Sequence, residues 1–407
     1  MSNAPTVLRG NIVLPDNVLT DGIIVFQDGI ITYVGNQSGL PADVLAGSVV
    51  PVSSACYLVP GLVDVHNHGG GGASFPDATD AETVRIGAYE HLKYGTTTLL
   101  ASTVTASREV LLERATLLAG LAAEGVIAGM HSEGPFVSHQ FRGAQSPDYL
   151  IDGYPGFVRE LASAAQGYLR TMTVAPEVPG VAGAGGAAQA LVNCGVIPSL
   201  GHTGATVDQA EALINQVTEA LRGSGKRMTV THLFNGMPPM HHRSPGPIPA
   251  CLAAAARGEL VVELVADGVH NDPGTVRNVL SLVRPDNLAF VTDAMAATGM
   301  ADGQYSLGPM DVVVKNGVAR LYDPEFQEGG SIAGGTAHLI DEVRLAVDNG
   351  VSLTDAIRSA SLTPARALGF TEVGELATGK RADILICNKE LQVDTVYKSG
   401  KAISDIR

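Results

Sequence analysis

His66 and His68 close the stretch Gly61–Val65 and open directly onto four glycines, Gly69 to Gly72. On an extended segment, side chains at i and i+2 point the same way, so both imidazoles can reach one metal ion. Two ordinary histidines beside a loop would give the same pair, and the pair alone does not choose between these readings. Recurrence favours the first. An apolar run ending in a ligand-type residue, then Gly or Pro or a turn, returns at Met130-His131-Ser132-Glu133-Gly134-Pro135 and at Ser199-Leu200-Gly201-His202-Thr203. It returns again at Val230-Thr231-His232-Leu233, at Val265-Ala266-Asp267-Gly268-Val269-His270 and at Val291-Thr292-Asp293-Ala294.

Something must carry these residues to one place. Eight apolar segments read as strands: Leu58–His66, Thr96–Ser102, Ile127–Glu133, Thr171–Glu177, Val196–His202, Met228–Leu233, Val261–Asp267 and Leu288–Asp293. Between them, Ala81–Lys93, Ser107–Glu124, Ala187–Cys194 and Val207–Leu221 read as Ala/Leu-rich helices with charge on one side, the third entered through the Gly-rich turn at 180–188. Eight βα units predict an α/β fold, a (β/α)8 TIM barrel, in which chemistry gathers at the C-terminal ends of the strands. The candidate ligands occupy those ends.

The flanks alternate apolar and polar residues instead. Asp28-Gly29 between two β-rich runs is a two-residue hairpin signal, and residues 374 to 403 are again strand-like, with a turn at Ser399-Gly400. Neither flank can bury a core by itself, so both chain ends are expected to build one small β-sandwich domain from residues 1–57 and 373–407, leaving 58–372 to the barrel. Gly303–Tyr322 predicts a further hairpin around Asn316-Gly317, and Ala337–Asn349 and Leu353–Leu368 predict closing helices.

Bulk properties restrict the partners. The chain has 407 residues, 45% hydrophobic and 16% charged, enough to bury a large core. Its net charge of −15 and lack of a Lys/Arg cluster argue against nucleic acid. No apolar run approaches the roughly 20 residues of a membrane span, and no signal-peptide pattern opens the chain, so a cytoplasmic protein is expected. Cys56, Cys194, Cys251 and Cys387 are scattered without CysXXCys spacing and read as buried free thiols.

These motifs together resemble the amidohydrolase superfamily and, within it, the N-acetylglucosamine-6-phosphate deacetylase family. The resemblance covers essentially the whole chain. It rests on 131–136, 199–203, Thr231-His232-Leu233-Phe234-Asn235-Gly236-Met237, 267–270 and 291–295. It implies metal ligands Glu133, His202 and His232, with His66, His68 and Asp293 serving a second ion where one is carried. One carboxylate and two imidazoles suit a divalent ion, with zinc expected first and iron, manganese or cobalt compatible, at one or two per chain. Asp293 would take the proton of the attacking water and hand it to the departing amine. The resemblance further implies that Asn235, Gly236, Arg243 and His270 contact a sugar phosphate, and that Ile332, Ala333 and Gly334 line its pocket through their backbone.

Some readings stay open. Taken alone, Arg243 in His241-His242-Arg243 is a solvated loop cation; the company of Asn235 and His270 favours phosphate. His91, His139, His241 and His242 read as ordinary exposed histidines. Where the family pattern has Gly-Ala-His, a histidine thought to polarise the amide carbonyl, this chain has Gly143-Ala144-Gln145. Gln donates a hydrogen bond but carries no charge, so Ala144 and Gln145 are expected at the substrate with slower turnover or a shifted sugar preference. The expected activity is deacetylation of N-acetylglucosamine 6-phosphate by a homodimer. The alternatives are another N-acetylated amino sugar, such as N-acetylgalactosamine 6-phosphate or an unphosphorylated sugar, a cyclic amide, or a non-catalytic scaffold. Retention of all six metal-site candidates speaks against the scaffold.

Overall fold

The computed structural model describes residues 4–40, 48–50, 56–322 and 330–405; the remaining parts of the expected terminal domain, 1–3, 41–47, 51–55 and 406–407, lie outside the described residues. Eight parallel strands run in sequential order: Leu62–Asp64, Thr96–Thr103, Gly129–Glu133, Leu169–Val174, Ile197–Leu200, Met228–Val230, Leu260–Leu264 and Leu288–Phe290. The ring closes just beyond the strand ends, where Asn67 bridges Ala294 in parallel, Asp293 N–H donates to His66 O at 3.0 Å and His68 N–H to Ala294 O at 2.7 Å. Closure therefore places the first and last candidate ligands side by side.

The strands are shorter than their apolar runs suggest. His202, His232 and Asp293 have φ of 45°, 27° and 47°, a left-handed backbone that breaks the ladder two to three residues early. The expected strand Leu58–His66 is two strands. Tyr57–Pro60 belongs to the outer sheet and Leu62–Asp64 to the barrel, with Gly61 between them because a Cβ there would lie 2.2 Å from Thr97 Oγ1.

Helices cover the barrel, Ala81–Lys93 and Arg108–Ala123 among them, the latter capped by Ser107, whose side chain accepts from Val110 N–H. Such a cap contributes about 1 kcal/mol. Val207–Ala220 opens on a Thr206/Gln209 capping box. The expected helix Leu353–Leu368 breaks at Ala360-Ser361 into Leu353–Ser359 and Leu362–Leu368.

Both chain ends share one sheet. Tyr57–Pro60 pairs with Thr6–Val13 on one side and with Ile384–Cys387 on the other. That sheet folds over so that Phe26 and Tyr397 meet at 5.3 Å, enclosing Leu8, Ile24, Leu58 and Ile384. Its hairpin turns through Asp28 (φ 51°) and Gly29 (φ 82°), the geometry of a type I′ turn. Gly303–Leu307, Met310–Lys315 and Val318–Leu321 form a separate three-stranded sheet. It packs on Val104, Ala144, Met295 and Ala333 and walls one side of the barrel mouth. Cys251 and Cys387 are buried, whereas Cys56 and Cys194 are only partly so; all four are free thiols.

Candidate active site

The six candidate ligands converge at the C-terminal mouth of the barrel, all buried. Glu133 Oε1 lies 2.9 Å from His202 Nε2 and 2.8 Å from His232 Nε2. Its other oxygen is 3.3 Å from His68 Nε2. Asp293 Oδ1 is 3.4 Å from His66 Nε2 and 3.2 Å from His68 Nε2. Two ligand groups result, Glu133/His202/His232 and His66/His68/Asp293, with Glu133 reaching into both.

The donor set fits divalent cations. His202 Nδ1 donates to Phe141 O at 2.9 Å, which leaves the Nε2 lone pair facing inward, the tautomer a metal ligand needs. Glu263 stands 3.5 Å behind His66 Nδ1, a carboxylate backing of the same kind. The Nε2 atoms of His66 and His68 are 3.1 Å apart and those of His202 and His232 3.2 Å. Lone pairs that close repel unless a proton or cation stands between them. Electrostatics point the same way: burial would raise Glu133 and Asp293, but the facing imidazoles hold both below the usual carboxylate range. Burial would likewise strip His68 of its proton, yet Asp293 and Glu133 push it up to about 10. The pocket is built to hold positive charge.

Polar groups fill the barrel interior beneath. His131 bonds Thr171 Oγ1 through Nδ1 at 2.7 Å and Thr173 Oγ1 through Nε2 at 3.1 Å, and Thr173, Thr231, Ser199 and Thr229 continue the chain. Burial keeps His131 well below its ordinary value and hence neutral. Asn67, between the two histidine ligands, donates to Asp64 Oδ2 and Thr292 Oγ1 at 3.0 Å each and accepts from Gly69 N–H. It ties the first strand to the eighth.

Above the ligands opens a cleft of about 350 Å³ lined by Ala144, Gln145, Asn235, Gly236, His270, Ile332 and Gly334. Gly236 (φ 62°) must be glycine, because a Cβ would lie 2.6 Å from His202 Nδ1. His270 Nδ1 pairs with Asp267 Oδ2 at 2.8 Å and its Nε2 faces Asp293 Oδ2 at 3.8 Å. Burial opposes its charge, but Asp267 raises its pKa.

Two candidates, Arg243 and His91, sit away from where the sequence places them. The Ala333 side chain is buried in the cluster behind the cleft, with Met295 and Val104. Arg243 is exposed on the Pro-rich loop 238–247, its Nη1 2.9 Å from His242 Nε2, and does not line this chain's cleft. Gln145 lines the cleft and donates one amide N–H to Glu133 Oε2. His91, expected on the surface, is fully buried and donates from Nε2 to Gly69 O at 2.8 Å, bracing the loop after His68. His139, His241 and His242 are exposed as expected. Sequence reasoning missed Glu263, although a lone Glu inside the apolar strand Leu260–Leu264 is a signal that it faces something cationic. It also missed Phe141, whose contribution is a carbonyl and carries no side-chain signature.

Residues 57–403 match the amidohydrolase family. The N-acetylglucosamine-6-phosphate deacetylase of Lysinibacillus sphaericus is 33% identical over 355 residues, 86% of each chain. The N-acetylgalactosamine-6-phosphate deacetylase of Escherichia coli O157:H7 is 31% identical, covering 87% of this chain and 91% of that one. Among solved structures, a mutant N-acetyl-D-glucosamine-6-phosphate deacetylase from Mycobacterium smegmatis, in complex with N-acetyl-D-glucosamine-6-phosphate, superposes with a TM-score of 0.87 at 36% identity. It covers 98% of this chain and 100% of that one.

Proposed function

The chain belongs to the amidohydrolase family, and from that premise we propose that it hydrolyses the acetamide of N-acetylglucosamine 6-phosphate, releasing glucosamine 6-phosphate and acetate. The observation that carries this reading is the single cleft in which Glu133, His202 and His232 meet His66, His68 and Asp293. An acetamide carbonyl placed there lies within reach of both ligand groups. The relatives described above act, by their names, on N-acetylated amino-sugar 6-phosphates.

Glu133, His202 and His232 would hold one divalent ion and His66, His68 and Asp293 a second, with zinc the proposed metal. The bound ion supplies Lewis acidity that lets water act as a nucleophile near neutral pH. Asp293 takes the proton of that water. Its backbone is pinned, the amide to His66 O and the carbonyl to Gly335 N–H, so its carboxylate keeps one position while the proton moves to the departing amine. His270, held charged by Asp267, donates into the cleft and orients the sugar beside Asp293. Asn235 and Gly236 line the side toward the phosphate.

Arg243 serves the partner subunit's cleft in a cytoplasmic homodimer. Met240 is 60% exposed on the same loop, an apolar tip suited to burial against a second copy. A second reading keeps the chemistry and changes the sugar to N-acetylgalactosamine 6-phosphate, favoured by the similarity to the Escherichia coli enzyme. The test is acetate release by zinc-loaded protein from N-acetylglucosamine, N-acetylgalactosamine and their 6-phosphates. The N-acetylglucosamine phosphate is expected to have the highest kcat/KM. No acetate from any of the four would sink the reading, and preference for the galactosamine phosphate would establish the second.

A further inference from the structure

Beside the catalytic cleft, on the far side of the Gly303–Leu307 strand, a separate cavity of about 280 Å³ opens at the N-terminal end of helix Arg108–Ala123. Ser107, Val110, Leu111, Thr103, Tyr149 and Asp77 line it, and Arg114 forms part of its wall. Arg114 is 7% exposed, its Nε is buried without a hydrogen-bond partner, and the guanidinium makes no ion pair among the described residues. Helical side chains lean toward the N-terminus, so Arg114 lies over the turn that carries Val110 and Leu111, both on the cavity wall. A buried guanidinium Nε–H with no acceptor is costly unless a ligand meets it.

The helix end adds positive potential at the same place. Asp77 and Glu113 are the carboxylates whose charge reaches Arg114, and neither pairs with it. Asp77, on the cavity wall, has its Oδ2 charge met by three donors, Ser74 Oγ, Ser306 Oγ at 3.1 Å and Gly308 N–H at 3.2 Å. The volume falls below the roughly 300–1,000 Å³ of sites for drug-sized ligands. We propose that this cavity binds a small oxyanion, phosphate or carboxylate, through the fork of Arg114. Leu307 lines the catalytic cleft and Gly308, next in sequence, lines this cavity, so an occupant bears on the hairpin that walls the cleft.

Isothermal titration of the zinc-loaded full-length protein with inorganic phosphate, and separately with acetate, tests the proposal. Arg243→Ala removes the cation proposed for substrate phosphate and serves as background, and an anion bound at the metal centre is kept apart because it survives Arg114→Met. At least one anion is expected to bind the parent and the Arg243→Ala protein alike, and Arg114→Met is expected to weaken that event at least 10-fold. The stronger anion identifies the source. Val110→Glu provides a second variant: it completes a capping box with Ser107 and carries negative charge to the cavity mouth, so it should weaken the anion at least 10-fold without lowering Tm. If neither anion binds the Arg243→Ala background, or if both variants bind as the parent does, the proposal is overturned.

Discussion

The Gln145 side chain is held at both ends: its amide nitrogen donates to Glu133 Oε2 at 2.6 Å and its carbonyl accepts from Thr105 N–H at 2.7 Å. The amide is therefore fixed in one orientation, with one of its two N–H donors committed to a metal ligand while the residue also lines the cleft. Gln145 acts through Glu133. Loss of an outer partner of this kind costs about 10- to 100-fold in metal affinity. Gln145→Ala should weaken metal retention by that factor in competition with a chelator. Unchanged retention would mean that the bond to Glu133 does not hold the ligand.

Asp293→Asn keeps the shape of the side chain and its pinned backbone but removes the proton acceptor. The expected result is a fall in kcat of at least about 100-fold with little change in KM. Near-parental kcat would place the base elsewhere.

The ligand residues were legible because each ends an apolar strand, and a polar group there has no reason to follow a buried run except to face the barrel mouth. The strand ends themselves were not legible. His202, His232 and Asp293 adopt left-handed backbone, a tertiary constraint without a sequence signature at non-glycine residues. His91 was misread despite an available signal: Val84, Gly87, Ala88 and His91 share one helical face, and the first three are small or apolar and buried. Arg243 shows the other limit, because one chain's sequence does not say which copy's cleft an exposed loop serves.

The two ligand groups make separable predictions about metal. His66→Ala with His68→Ala removes two of three donors from one group and leaves Glu133, His202 and His232 intact. Elemental analysis of purified protein should fall from two divalent ions per chain to one. Equal content in parent and double variant would rule out the second site.

His91 gives a pH prediction. Burial lowers its pKa to about 4 from an ordinary 6.5, and its Nδ1 has no partner to stabilise a proton. Between those values the unfolded chain binds more protons than the folded one, so stability is full above about pH 6.5 and falls as pH drops toward 4. The contribution is at most about 3.5 kcal/mol. His91→Gln removes the titrating group, and the acid limb of a metal-free Tm profile should flatten relative to the parent. Parallel profiles for the two proteins would show that another group dominates.

Arg243 supplies the last prediction. It stands outside its own cleft, hydrogen-bonded to His242 on an exposed loop, and the proposed dimer would bring it to the neighbouring cleft. A forked, charge-assisted contact in a closed dimeric site is worth roughly 30-fold or more in kcat/KM toward a phosphorylated sugar. A solvated arginine is worth nothing measurable. Arg243→Ala should erase most of the preference for the 6-phosphate over the free sugar. Mixing that variant with Asp293→Asn chains then separates the two geometries. If Arg243 serves the partner's cleft, half of the randomly mixed dimers hold one site with both residues intact, and about a quarter of parental activity returns. If it serves its own cleft, no mixed site is complete and the mixture stays as inactive as its components.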